Sequence, residues 1–295
     1  MNFDNLENKR MMSVYYTVNQ IYPWLYSIHD PQEVFCYLLV GSEKALLYDT
    51  CYGIAPLDVV VGSVTNLPFE VVLSHGHIDH VNGAYQFPEV WLHPADRELC
   101  LRHTSKTARR KIAENLGAQH TVQDPDPLKE PLPLDMVNEN NTPTAFDANA
   151  WVPLGAGNLK DLPHGKIFDL GGLTVEVVAM EGHTPGSVGL LIHEHRVLLD
   201  SDAANHHIWM FLEESLGMDV YINMLRRVKE LPFDTFFVGH QDNPRPKADF
   251  DKYIHAAENI DIEKSTPYPA MVELGGLLYS EGEVSVVFNP KRVKQ

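Results

Sequence analysis

In the segment Ser74-His75-Gly76-His77-Ile78-Asp79-His80, three imidazoles and one carboxylate fall within six residues, directly after the apolar run Glu70 to Leu73. A strand sends alternate side chains to opposite faces, whereas a loop can turn neighbouring side chains onto one point. Zinc favours nitrogen and oxygen donors of this kind at about 2.0 to 2.2 Å. Gly76, without a Cβ, is expected to let the backbone fold tightly between His75 and His77. A polar surface turn is the bland alternative, and it accounts for an isolated His-x-His better than for the whole cluster.

Three other candidates share the same position, just past an apolar run. Leu173 to Met180 leads to Glu181-Gly182-His183-Thr184-Pro185-Gly186, Val197 to Asp200 leads to Ser201-Asp202, and Thr235 to Val238 leads to Gly239-His240. Taken alone, His183 or His240 reads as an ordinary surface or core histidine, and Asp202 as a turn residue. Recurrence at four strand ends is what predicts a site, because strand ends are rigid while the loops beyond them vary.

The rest of the chain supplies the scaffold. Tyr15 to Ile28, Val34 to Val40 and Ala45 to Asp49 read as strands joined by turns at His29-Asp30-Pro31 and Gly41-Ser42-Glu43-Lys44. A helix is expected from Pro94, with Asp96 and Glu98 in its first turn and Gly117 as its stop. From about Gln119 to Gly165, seven prolines predict an irregular insertion. Strands return at Lys166 to Leu170, Leu173 to Met180, Ser187 to His193 and Arg196 to Asp200, followed by a helix whose stripe is Tyr221, Leu225, Val228 and Leu231. A last short strand covers Thr235 to Val238. The order suggests two similar halves within a single domain spanning 1–295, interrupted by the insertion at 119–165.

Composition excludes several classes. Forty Asp and Glu against 23 Lys and Arg give a net charge of −17, which repels nucleic-acid phosphates and anionic membranes. Apolar runs such as Val34 to Val40 are far shorter than the roughly 20 residues of a spanning helix. The start, Met1-Asn2-Phe3-Asp4-Asn5-Leu6-Glu7, is acidic where a secretory signal is basic, so a cytoplasmic location is expected. Cys36, Cys51 and Cys100 are too few and too irregularly spaced for a disulfide framework or a four-cysteine zinc site.

His75-x-His77-x-Asp79-His80, Gly182-His183-Thr184-Pro185-Gly186, Asp202 and Gly239-His240, with Asp49-Thr50 after an apolar strand, together resemble the ligand pattern of the metallo-β-lactamase superfamily. The resemblance implies an α+β fold, a four-layer αβ/βα sandwich with two divalent metal ions at one edge of the sheets. Zinc is the first choice, with iron or manganese as alternatives. His75, His77 and His183 would hold one ion, Asp79, His80 and His240 the other, and Asp202 would bridge them. A water in the shared position would be lowered in pKa toward hydroxide and aimed at an electrophile, making Asp79 and Asp202 catalytic as well as ligating. Asp49 would accept from a ligand imidazole, or else is a strand-end turn carboxylate.

Within the superfamily, His77 stands where diiron flavoproteins commonly carry a carboxylate, and the acidic balance disfavours phosphodiesterases acting on nucleic acid. Arg245, Lys247 and Lys291-Arg292 form no evident glutathione-binding set. The expectation is a dinuclear hydrolase of the glyoxalase II and lactonase branch, cleaving a small-molecule ester, thioester or lactone. The alternatives are a mononuclear iron oxidoreductase similar to persulfide dioxygenases, a β-lactamase-like amide hydrolase and a non-catalytic binding module. His206 or His207 would donate to the substrate carbonyl. Trp209, Met210 and Phe211 would line an apolar pocket, or pack as core. The expected partner is a small molecule, with neither nucleic acid nor membrane, and exposed aromatics in the insertion would suit a homodimer contact.

Overall fold

The computed structural model describes residues 15–115 and 146–293. The reading of the N-terminal segment, Gly117 as a helix stop and residues 119–145 of the expected insertion lie outside the described residues. The chain divides into two compact units. The first comprises the described residues of Met1–Leu92 and Arg97–Asp161, the second His93–Asp96 and Leu162 onward.

In the first unit, β1 (Thr17–Tyr22), β2 (Leu25–His29), β3 (Phe35–Val40), β4 (Ala45–Tyr48), β5 (Phe69–Val72), β6 (Val90–Leu92) and β7 (Leu159–Asp161) form one seven-stranded sheet in chain order. Pairing is antiparallel up to β4 and parallel from β4 onward. The single run expected over Tyr15 to Ile28 is a hairpin instead. Pro23 has no N–H for a ladder, so the chain reverses at Pro23-Trp24, with Tyr22 paired to Leu25.

Helix α1 (Leu57–Val64) starts after Pro56 and buries Leu57, Val60 and Val61 in the same core as Leu38, Leu47 and Val71. That spacing is one helical face. A short α2 (Ile78–Val81) carries Asp79 and His80. The helix expected from Pro94 is three pieces: a 3₁₀ turn at Pro94–Asp96, α3 (Arg97–His103) and α4 (Lys106–Asn115). The break has a local cause, since the Thr104 hydroxyl donates back to the Cys100 carbonyl at 2.8 Å and Ser105 Oγ accepts from Ala108 N at 3.3 Å as the cap of α4. Residues 146–165 contain α5 (Ala148–Trp151), whose cap Asp147 accepts from Asn149 N and Ala150 N, and then β7. This segment is held by Arg109, fully buried between the rings of Tyr85 and Trp151 and donating to the carbonyls of Asn82, Trp151 and Gly155. Burial pushes its guanidinium down to about 10, so the cation persists at neutral pH.

The second unit has two sheets. One runs β14 (Gln241–Pro246), β13 (Thr235–Val238), β11 (Val197–Ser201), β10 (Val188–Ile192), β9 (Thr174–Ala179) and β8 (Ile167–Asp169), and the other β12 (His207–Met210), β17 (Val284–Phe288), β16 (Leu277–Glu281) and β15 (Thr266–Pro267). Helix α6 (Met218–Lys229) buries Tyr221, Leu225 and Val228 as the stripe predicts, whereas Leu231 lies just past its end. Helix α7 (Asp249–Glu258) packs Phe250, Tyr253 and Ala257 into the same core. Among the described residues, no helix is long and apolar enough to cross a membrane.

Asp30, buried in the β2–β3 loop, accepts from the amides of Gln32, Val34 and Tyr52. Burial nonetheless raises its carboxyl from 3.8 to about 7. Between those values the folded chain keeps a proton that the unfolded chain has released, so stability falls as pH rises from about 4 to about 7, by a total on the order of 4 kcal/mol. Thermal melts from pH 5 to pH 8 in the presence of chelator should show this slope in the wild type and not in Asp30→Asn. An unchanged slope in the variant would rule Asp30 out as its source.

Candidate metal centre

At the end of β4, Asp49 adopts a left-handed backbone with φ of 69°. This conformation is uncommon for a residue with a Cβ but tolerated by Asp. The carboxylate turns inward, where Oδ1 accepts from Ser74 N at 2.7 Å and Oδ2 from His80 Nδ1 at 3.0 Å. Both Asp49 and His80 are buried. The hydrogen bond puts the proton on Nδ1 and leaves Nε2 as the donor atom of His80. Asp49 is therefore a partner of a predicted ligand and not a plain turn carboxylate. Its neighbour Thr50 adds two bonds to the His80 carbonyl, from N at 3.0 Å and Oγ1 at 2.7 Å.

The other donors of the first unit lie beside His80. His75 shares a hydrogen bond between its Nδ1 and Ser74 Oγ at 2.8 Å, its ring centre is 4.7 Å from that of His77 and 4.5 Å from that of His80, and Asp79 Oδ2 lies 3.5 Å from His80 Nε2. Gly76 does not adopt a positive φ. What fixes the turn there is its carbonyl, which accepts from His103 Nδ1 at 3.0 Å, and the His103 ring stands 5.5 Å from that of His77. Nothing in the local sequence pattern marks His103 as part of the cluster. The only signal that could have placed it is its position in the last turn of a helix that follows the cluster.

In the second unit, β11 and β13 run parallel and end side by side, with Ser201 paired to Val238 and Gly239 N donating to the Ser201 carbonyl at 2.7 Å. Asp202 and His240 follow at once, with His240 Nε2 and His183 Nε2 at 3.3 and 3.9 Å from Asp202 Oδ2. His183 Nδ1 donates to the Trp209 carbonyl at 2.7 Å, which again leaves Nε2 as the donor atom. The His183 loop is held by Asp96, a buried carboxylate accepting from Gly186 N at 2.7 Å and Thr184 Oγ1 at 2.6 Å. Asp96, expected in the first turn of a helix, instead serves a loop 88 residues away. Gly186 is required there, since a Cβ would meet the Asp96 carboxylate at 2.7 Å, and a Cβ on Gly182 would meet the Tyr221 ring at 2.6 Å. Tyr221 is fully buried on α6, as core packing predicts.

Both histidines expected to contact substrate are held by other side chains. His206 lies against Tyr253 Oη at 3.0 Å and Arg245, and His207 against Ser285 Oγ at 2.6 Å and Tyr268 Oη at 3.2 Å. Burial lowers both imidazoles below their usual pKa, with Arg245 adding to the effect at His206, so both are neutral at pH 7. Residues 207–210 form the edge strand β12, with Ile208 and Met210 in the core, while Trp209 and Phe211 pack with Tyr268. Met210 is thus core and not pocket lining. His and Asp groups that could hold a metal ion are present in the described residues, each offering ring nitrogens or carboxylate oxygens of the type zinc takes.

A model of the metallo-beta-lactamase superfamily matches residues 29–240, most of the chain. The chain belongs to this superfamily. Among curated proteins it is similar to the acyl-coenzyme A thioesterase MBLAC2 of Gallus gallus, 26% identical over 175 residues, and to that of Homo sapiens, 25% identical over 178. Each match spans 56% of this chain and 56% of the relative, so the likeness covers little more than half the length of either. Among solved structures, the sec-alkylsulfatase Pisa1 from Pseudomonas sp. has a TM-score of 0.56 at 15% identity, over 82% of this chain and 41% of that one. A metallo-beta-lactamase from Pontibacter korlensis has a TM-score of 0.51 at 14% identity, over 83% and 100%. These structures agree on the α+β fold of the superfamily.

Two substitutions test the supports of the donors. Asp49→Ala should weaken zinc binding about 10- to 100-fold in competition with a chromophoric chelator, because His80 loses the acceptor that fixes its tautomer. Asp96→Ala should lower unfolding stability by about 2 to 5 kcal/mol in urea titration, because two buried donors lose their acceptor.

Proposed function

We propose that the chain is a metal-dependent hydrolase whose substrate is a small-molecule thioester. The donors that could hold a metal are His75, His77, Asp79 and His80 in the first unit and His183, Asp202 and His240 in the second, the positions that the superfamily pattern marks. The observation that carries the reading is the orientation of the imidazoles: His75, His80 and His183 each engage a hydrogen-bond partner through Nδ1, so in each Nε2 is the nitrogen that would meet a cation. A structural histidine has no need of so uniform an arrangement.

Two divalent ions, zinc in the first place, would supply Lewis acidity that makes water a nucleophile near neutral pH and polarises a carbonyl. The chain's own residues do the rest. Asp49 and the Trp209 carbonyl fix the tautomers of His80 and His183, and Asp96 keeps the His183 loop in place. Asp79 and Asp202, half-buried carboxylates beside these imidazoles, would accept the proton that hydrolysis releases. His206, neutral and half-buried, has both ring nitrogens against Arg245, which favours a supporting role over donation to the substrate. His207 is anchored at both ring nitrogens, which favours a packing role. The thioester is preferred over a lactone or simple ester because the curated relatives are acyl-coenzyme A thioesterases.

Metal analysis of protein purified without chelator should find zinc, and a panel of thioesters, lactones and esters should show the highest kcat/KM for thioesters. His75→Ala and His183→Ala should each lower kcat/KM by about 1,000-fold or more, matching the several kcal/mol that a bound cation contributes. Iron together with oxygen consumption on a persulfide would move the assignment to the oxidoreductase. Turnover unchanged in both variants would remove the metal from the mechanism.

A further inference from the structure

Arg245 lies on β14, five residues past His240, in the second unit. One terminal nitrogen, Nη1, lies 2.8 and 2.5 Å from the ring nitrogens of His206, Nη2 donates to Gln241 Oε1, and the Tyr253 hydroxyl is within hydrogen-bond reach. Its Nε is buried with no hydrogen-bond partner among the described residues. Each of these neighbours is uncharged, since burial and Arg245 itself keep His206 neutral. Asp200 does not serve as counter-ion. Its carboxylate is fully buried and neither oxygen has a hydrogen-bond partner among the described residues, Arg245 included.

A comparison with Arg109 shows what is unusual. Arg109 also lacks a carboxylate, but it is wholly buried and three backbone carbonyls occupy its terminal nitrogens. Arg245 is half-buried and accessible, and its terminal nitrogens are hydrogen-bonded to the His206 ring and the Gln241 amide oxygen, with no carboxylate among these partners. A partly desolvated guanidinium without an anion has lost hydration that an arriving carboxylate or phosphate returns through paired, charge-assisted hydrogen bonds. The chain connects it directly to the candidate site: Gln241 adjoins His240, and His206 follows Asp202 by four residues. On a chain of net charge −17, long-range attraction does not favour an anion, so a direct contact of this kind is what would select one.

We propose that Arg245, backed by His206, anchors an anionic group of the substrate, either a carboxylate on the acyl part or a phosphate on the thiol part. The proposal rests on the thioesterase reading for its substrate class, and equilibrium binding tests it separately from turnover. The probes are three non-hydrolysable thioethers with one alkyl chain: S-alkyl coenzyme A, neutral S-alkyl N-acetylcysteamine, and the latter with a terminal carboxylate. Calorimetry gives the affinity of each anionic probe relative to the neutral one. That ratio should exceed one in the wild type for at least one anionic probe, fall about tenfold or more in Arg245→Met, and be partly retained in Arg245→Lys, which keeps the charge and loses the fork. A ratio that falls only for the coenzyme A probe identifies the phosphate as the ligand group, and one that falls only for the carboxylate probe identifies the acyl end. Equal weakening of neutral and anionic probes in folded Arg245→Met and Arg245→Lys, or a wild type with no preference for either anionic probe, overturns the proposal. Absence of thioester turnover with the ratio intact would remove the hydrolase reading and leave the anion anchor standing.

Discussion

The hydrogen bond between Asp49 Oδ2 and His80 Nδ1, 3.0 Å long and shielded from water on both sides, is the contact on which the donor loop of the first unit depends. A buried carboxylate is expensive unless it is paired and hydrogen-bonded, and Asp49 meets that condition with one imidazole and one backbone amide. The left-handed backbone at Asp49 is the local strain that this geometry requires. Because Thr50 bonds the His80 carbonyl as well, the end of β4 holds both the side chain and the backbone of His80.

The second unit reaches the same result with different parts. A backbone carbonyl at Trp209 replaces the carboxylate as the acceptor for His183, and Asp96, from the segment before α3, secures the following loop. Ser201, like Asp49, has a left-handed backbone at the end of its strand, immediately before Asp202. Strand ends that break the extended conformation in this way point the next side chain along the sheet edge, where the ladder no longer constrains it.

Polar burial also divides the molecule by purpose. Arg109 is buried and fully engaged with carbonyls, and it ties α5 to the first unit. Asp30 and Asp200 are buried carboxyls that burial drives toward the neutral form. Arg245 differs from all three in being half-buried, with terminal nitrogens that meet a histidine ring and an amide oxygen and no backbone carbonyl, and this separates a group available to a ligand from groups that serve packing.

Much of the donor set could be read from sequence because its members cluster at short spacing or follow apolar runs: His75, His77, Asp79 and His80 lie in one loop, and His183, Asp202 and His240 each follow a strand. The strands β1 to β5, β8 to β11 and β13 were legible from alternation and turn residues, with Pro23 dividing one run, whereas β6, β7, β12 and β14 to β17 were not read, and α6 was legible from its apolar stripe. The hairpin of β16 and β17 carries a readable signal in Gly282, but α7 and β12 do not separate from loop by local pattern alone. What supports the donors was not legible. Asp96 is 88 residues from Thr184, and Trp209 supplies a backbone carbonyl that every residue possesses. Local chemistry is set by residue type and spacing, so the sequence by itself determined which atoms could bind a cation. Only the tertiary structure decided which carboxylate or carbonyl fixes each imidazole and which arginine is sealed by carbonyls and which stays half-buried and accessible, because those depend on strand pairing and burial between distant segments.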